Sequence, residues 1–200
     1  MPYLDPSEYE AYGLTPETTG DLVQLASALL DAHCRRPTLL AQQYTERMRL
    51  TAGSQAVRLS YLPFGALTSV RVRYGRPRGG EMHETMLTQA AWAFSIPGSW
   101  STLDVSYIDV NQATGDVTFP ANFLGIPYNE VEITYTAGFA TIPPAIKTAC
   151  AQVVRNAQAT PALNVKGSRV DTLQMQYFSS SLIDANVQKL LAPYVAQRMG

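Results

Sequence analysis

The sequence predicts an α+β fold in which both chain ends build a helical bundle lobe and an antiparallel β lobe is inserted between them. Three observations carry this. Apolar residues recur at helical spacing near the two ends, from Leu22 to His33, from Ile146 to Ala157 and from Ile183 to Tyr194. Between about Gln42 and Thr136 they alternate instead, the period of a half-buried strand. And the stretch EITYTAGFATIPPAIKTA, residues 132 to 149, passes from one period to the other through Ala137-Gly138 and Pro143-Pro144. Residues 1–200 therefore read as one domain with two lobes, helical over 14–40 and 141–200 and β-rich over 41–140.

Thr15-Pro16-Glu17 combines a hydroxyl cap, proline at the first helical position and an acid in the first turn, so the first helix is expected to begin there. Leu22, Leu25, Ala26, Leu29 and His33 share its apolar face, and Pro37 is expected to stop it, with Arg35 and Arg36 at its negative end. Strands follow. Val57, Leu59 and Tyr61 alternate with Arg58 and Ser60; Val70, Val72 and Tyr74 with Arg71 and Arg73; Val131, Ile133 and Tyr135 with Glu132 and Thr134. Val117 and Phe119 come after the turn-forming NQATGD. Within residues 75–100, Gly79-Gly80 reads as a loop tip and AWAFSI as a further strand. Pro144 holds Pro143 extended, which sets the start of the second helix, with Ile146, Ala149, Cys150, Val153 and Ala157 as its stripe. The loop ATPALNVKGS, a short strand in VDTLQMQYF and a last helix complete the chain. That helix opens at a Ser181–Asp184 capping box, packs Ile183, Val187, Leu190, Leu191 and Tyr194, and is bent or ended by Pro193.

Composition narrows the function classes. A hydrophobic fraction of 46% with 16% charged residues belongs to a folded chain. The net charge of −1 provides no overall attraction to nucleic acid or an acidic membrane. No run approaches the ~18 apolar residues of a membrane span, and MPYLDPSEYEAYGL lacks the basic-then-apolar order of a signal peptide, so a cytoplasmic site of synthesis is expected and no membrane partner. Eleven tyrosines are expected to supply amphipathic interface surface. Cys34 and Cys150 read as small buried hydrophobes.

No catalytic constellation is visible. His33 sits at a helix end and His83 in a glycine-rich loop, neither with a second histidine or cysteine at ligand spacing, so no metal is expected. GRPRGG lacks the lysine of a phosphate loop, the G-x-S-x-G spacing of a nucleophile elbow is absent, and Asp104, Asp109 and Asp116 fall at turn and strand-edge positions. No cofactor is implied and no enzyme is expected. Arg58, Arg71, Arg73, Arg76 and Arg78 form a candidate basic patch; they read either as the wet face of a sheet, diluted by Glu81 and Glu84, or as a surface for acidic protein or a DNA backbone.

The strand end VEITYTAGF leading into IPPAIKTACAQVV resembles a signature of tailed-phage head-to-tail connector proteins, the adaptor family that attaches below the portal. LVQLASALLDAHCRRP followed by AQQYTERMRL, the pair RLSYLPFGALTSVRVRYG, the hairpin ATGDVTFP and the ending LQMQYFSSSLIDANVQKLLAPYVAQ resemble further segments of that family in the same order, from about Thr15 to Gln197. Phe139 stands where the family has tyrosine, and Val195 where it tends to have arginine; Gly75 to Trp100 matches nothing. The resemblance implies a structural virion protein of a bacteriophage or prophage: a homo-oligomeric ring, dodecameric like the portal, assembled in the host bacterial cytoplasm. Its implied partners are the portal protein, a stopper or tail-completion protein, and DNA that passes without sequence-specific binding. The tail YVAQRMG, with Tyr194, Val195 and Arg198, is the candidate portal contact. The alternative is a non-catalytic β-rich module gripping a glycan or protein ligand through Trp92, Phe94, Trp100 and Tyr107. Exposed tryptophans would favour it.

Overall fold

The structure, a computed structural model, describes residues 1–50, 54–74, 99–120, 128–159, 167–170, 173–176 and 182–196. Helices and antiparallel sheets are both present, so the chain is α+β. It forms two compact units, Met1–Leu39 with Phe139–Ala196, and Leu40–Gly138.

In the first unit, helices α1 (Gly20–His33) and α2 (Pro144–Ala159) pack together, and α3 (Ala185–Leu191) packs on α2. α1 begins later than Thr15-Pro16 predicts. Those residues form a turn closed by the Thr18 amide donating to the Thr15 carbonyl, and Thr19 takes the cap position. The buried stripe also differs from the expected one: it is Val23, Ala26, Ser27 and Leu30, while Leu25 is 48% exposed and Leu22, Leu29 and His33 are half-buried. Counting leucines misplaced the face because Ser27 belongs to the core. Its hydroxyl donates to the Val23 carbonyl at 2.7 Å and accepts the Tyr3 amide at 3.0 Å, so a small polar residue is satisfied where α1 meets α2. Nor does Pro37 end the helix. Arg35 adopts φ +57°, and the Arg36 and Arg35 amides donate to the Asp31 and Ala32 carbonyls, a Schellman ending with arginine in the place glycine usually takes.

α2 begins at Pro144 and buries the expected Ile146, Ala149, Cys150 and Val153, together with Ala151 and Val154; Ala157 is half-buried. Cys34 and Cys150 are fully buried free thiols, and burial pushes each up to about 11, so neither is a reactive thiolate. Within residues 158–178, where one strand was expected after a loop, Gly167–Val170 and Leu173–Gln176 pair antiparallel. Asp184 is itself the cap of α3: its carboxylate accepts the Val187 amide at 2.8 Å, which holds it below the usual carboxylate range. Ser181 lies outside the described residues. Val187 and Leu191 are buried, and at Pro193 the helix gives way to the 3-10 turn Ala192–Tyr194.

The second unit holds strands β1 (Gln42–Arg49), β2 (Ala56–Arg58), β3 (Phe64–Arg73), β4 (Ser101–Leu103), β5 (Asp109–Asn111), β6 (Asp116–Thr118) and β7 (Glu130–Ala137). The larger sheet has the order β1-β7-β3-β4, the smaller β2-β6-β5, and every pairing is antiparallel. β7 is central, and its Val131, Ile133, Tyr135 and Ala137 are fully buried against a core that includes Val70, Val72 and Val117. β3 reaches back to Phe64 although FGALTS does not alternate. Its register against β7 shifts by one residue between Phe64 and Ala66 and again between Leu67 and Ser69, so Phe64, Leu67, Val70 and Val72 can all pair opposite buried positions. The strand AWAFSI and the glycine loop lie outside the described residues.

The tyrosines depart from expectation. Among the described ones only Tyr107 is exposed; Tyr3, Tyr9, Tyr44 and Tyr135 are buried. Two of the hydroxyls have partners inside: Tyr3 donates to Asp31 and accepts the Leu39 amide at 2.8 Å, and Tyr135 donates to Glu46 at 2.8 Å.

β7 leaves its sheet where β1 enters it. Gly138 has φ +113°, its amide donates to the Pro63 carbonyl at 3.0 Å, and a Cβ there would stand 2.5 Å from the Leu40 carbonyl oxygen. Strain and clash add, so Gly138→Ala is expected to cost about 3 kcal/mol or more, where a compatible glycine-to-alanine change would gain up to about 1 kcal/mol. Urea unfolding of the two proteins measures the difference. A variant within about 0.5 kcal/mol of wild type would show that the crossing relaxes without strain.

Candidate interface: the charged face of the larger sheet

Because side chains alternate along β7, Glu130, Glu132, Thr134 and Thr136 share the face opposite the core, with Glu130 itself covered. Register then sets their neighbours. Arg47 of β1 and Arg71 of β3 flank Glu132, and Arg49 and Arg73 flank Glu130. Each glutamate gives one oxygen to each neighbour. Arg47 and Arg71 donate to Glu132 at 3.2 and 3.0 Å, Arg49 donates to Glu130 at 3.0 Å, and Arg73 reaches Glu130 at 2.5 Å. These are the directly opposite charge pairs that stabilise a sheet face. Further along the same face Thr45 and Thr134 share a hydroxyl hydrogen bond of 3.0 Å.

The two ladders are unequal. Glu130 keeps 7% of its side chain exposed and its arginines Arg49 and Arg73 keep 42% and 25%, whereas Glu132 keeps 19% and its arginines 55% and 46%. Trp100, just before β4, lies among the guanidiniums, with those of Arg73, Arg47 and Arg71 at 4.6, 4.7 and 5.6 Å from its ring centre. The indole is half-buried by this cover. Among the described residues, four arginines and two glutamates make up the charged part of this face.

Of the candidate basic residues, the structure brings Arg71 and Arg73 together and adds Arg47 and Arg49. Arg58 belongs to the smaller sheet, where it forks onto Asp116 at 2.8 and 3.1 Å. Arg76 and Arg78 lie outside the described residues, as do His83, Trp92 and Phe94. A signal for the missing pair was present: RMR at 47–49, EVE at 130–132 and RVR at 71–73 share one period, and a glutamate strand is best placed between two arginine strands. Asp104 caps a 3-10 turn by accepting the Ser106 amide at 2.9 Å, as a turn position implies.

In the first unit Tyr194 packs edge-on against Phe139 with ring centres 5.5 Å apart, and Val195 is half-buried. The buried Ala196 donates its amide to the Cys34 carbonyl at 2.9 Å, which pins the chain one residue before Gln197. Arg198 lies outside the described residues. An open groove of about 380 Å³ runs beside β1, lined by Tyr44, Glu46, Arg58 and Tyr61 among others. Its one inward carboxylate, Glu46, is occupied on both oxygens, by the Tyr135 hydroxyl and the Ser60 amide. Among the described residues no group of three His, Cys, Asp or Glu could hold a metal ion, and no helix is long and apolar enough to cross a membrane.

No protein-family model matches the chain, and no curated protein matches it in sequence. Solved structures share its fold. The chain is similar to one from the neck of an empty GTA particle computed with C6 symmetry, with a TM-score of 0.50 and 13% identity over 99% of this chain and 92% of that one. It is similar to one from the neck of a native GTA particle computed with C12 symmetry, with a TM-score of 0.50 and 16% identity over 99% and 91% of the two chains. At such identities it is the fold that is shared.

Glu130→Gln is expected to destabilise the protein by about 1–3 kcal/mol, because it removes the charge from the more buried ladder, and Glu132→Gln by about 1 kcal/mol or less, because its arginines are already solvated. Urea unfolding of the two variants ranks them, and equal losses would remove the distinction between the ladders. The fork from Arg58, aided by the Thr114 hydroxyl, holds the Asp116 carboxyl down to about 2. Its contribution is therefore fully present above the ordinary aspartate range of about 3.9 and is lost only as pH falls through about 2. Carboxyl NMR titration should find Asp116 there, and Arg58→Ala should return it toward about 3.9.

Proposed function

We infer that this chain is a structural neck protein of a tailed-phage-like particle, a head-to-tail connector of the adaptor kind. The observation that carries this reading is the fold shared along nearly the whole chain with two neck chains of GTA particles. The motifs from Thr15 to Gln197 that resemble the adaptor family support it independently, since they are features of the sequence and not of the fold. Chains in maps with sixfold and twelvefold symmetry occupy closed rings, and a homo-oligomeric ring is the assembly proposed here. In this reading twelve copies form a collar below the portal, extend the channel for DNA and present their far side to a stopper or tail-completion protein. The glycan- or protein-binding module is the weaker reading, because the chains that share the fold over nearly its whole length are neck chains.

The portal contact is assigned to the C-terminal tail. Tyr194 and Val195 anchor it through Phe139 and the bond from Ala196 to Cys34, and the segment with Arg198 reaches the partner. Native mass spectrometry and negative-stain imaging of the full chain, with and without portal, test the function: rings of twelve, alone or on the portal, are expected. A chain that stays monomeric at every concentration and ignores portal would refute it. Truncation after Ala196, which leaves the anchor intact, should abolish portal binding while preserving the fold; unchanged binding would remove the tail from the contact.

A further inference from the structure

The arginine–tryptophan face is rich in guanidiniums and only partly covered. The side chains of Arg47 and Arg71 remain 55% and 46% exposed although each is bonded to Glu132. The chain supplies the complementary chemistry in its other unit. Residues 1–34 contain six acidic residues and neither lysine nor arginine, in a chain whose net charge is only −1. Three of the six are engaged: Asp5 caps a 3-10 turn, Glu8 pairs with Lys147, and Asp31 accepts the Tyr3 hydroxyl. Glu10, Glu17 and Asp21 are exposed. Asp21 lies in the first turn of α1, and Leu25, one turn along on the same side of the helix, is 48% exposed. A carboxylate and a leucine at that spacing suit a surface of guanidiniums and an indole, the first by charge-assisted hydrogen bonding and the second by apolar contact.

We propose that the face formed by Arg47, Arg71, Arg73 and Trp100 on one copy receives the N-terminal end of α1, with Glu17, Asp21 and Leu25, from the next copy in the ring. This rests on the ring reading of the preceding subsection. Cyclic closure needs two different and complementary surfaces on every subunit, and this chain carries one on each of its units. DNA is the competing occupant of any exposed arginine cluster. It carries one negative charge per ~1.7 Å of helix axis, and Glu130 and Glu132 in the middle of the face oppose it.

The test uses the full chain, with portal present if rings require it, and reads ring formation against protein concentration and salt by native mass spectrometry. In Glu17→Lys/Asp21→Lys both substituted side chains are exposed, so the fold is kept, and the concentration for half-assembly should rise about tenfold or more. Arg47→Glu/Arg71→Glu should do the same; because it sets two carboxylates beside Glu132 and can unfold the sheet, the acidic-side variant decides by itself. Wild-type rings should weaken as salt rises, and rings of the acidic-side variant should lose that dependence. Acidic-side variant rings that form at wild-type concentration with wild-type salt dependence would overturn the proposal and leave the ring reading standing. Binding of a 30-base-pair duplex that disappears only in the arginine variant, with ring formation intact in both variants, would assign the face to DNA and overturn it too. A wild-type chain that forms no ring, alone or on portal, overturns both.

Discussion

The unit from Leu40 to Gly138 depends on one close approach. Strand β7 must leave the sheet beside the residue through which β1 enters it, and at that point the Leu40 carbonyl stands where the Cβ of any residue other than glycine would be. With Gly138 in a conformation that side chains resist, β7 can pair along its whole length with β1 on one side and β3 on the other. A strand paired on both sides exposes no backbone edge, so its hydrogen bonds are all internal and its two faces are free to do different work. The two ends of a segment of about a hundred residues are thereby held at one place, which is what an inserted unit requires.

The two faces of β7 do differ. Inward, Val131, Ile133, Tyr135 and Ala137 are excluded from water, each large apolar side chain contributing about 1.5–3 kcal/mol relative to exposure. The one inward charge near them, Glu46 on β1, is tolerated because the Tyr135 hydroxyl and the Ser60 amide take both of its oxygens. On the other face Glu130 is buried and Glu132 largely covered by the arginines that bond them, so their desolvation is offset by two partners each. The same pairing holds the guanidiniums in fixed directions. An arginine ordered in this way has already lost most of its rotamer freedom, and a partner that binds it need not pay that cost again.

Period was the most legible property of the sequence. Val131, Ile133 and Tyr135 announced β7, and Pro143-Pro144 announced the start of α2, because a two-residue repeat and a missing amide are local facts. What failed was whatever depended on a partner far along the chain. The buried side of α1 was misread because Ser27 is made acceptable by Val23 and Tyr3, 24 residues away. The N-terminal part of β3 was missed because its two register shifts exist only against β7. Tyr3 and Tyr135 are core residues because Asp31 and Glu46 satisfy their hydroxyls, partners that no local pattern reveals. Arg71 and Arg73 were visible as a basic pair, yet Arg47 and Arg49 joined them only once β7 was known to lie between β1 and β3.

Net charge misled in a similar way. A value of −1 excludes a protein that sticks to nucleic acid by its whole field, but it is silent on how opposite charges are distributed. Here no basic residue occurs before Arg35, while the arginines of β1 and β3 lie in strands and on one face. A near-neutral chain with separated charges has little reason to bind an arbitrary polyanion and good reason to bind another chain that carries the same separation. Screening by salt limits such attraction to about 10 Å at 0.1 M, so it acts only between surfaces already close to contact. Electrostatics of this kind select orientation rather than supply most of the affinity. In the ring proposed above, where each subunit meets its own copy head to tail, orientation is the part of the problem that burial of apolar surface alone leaves open.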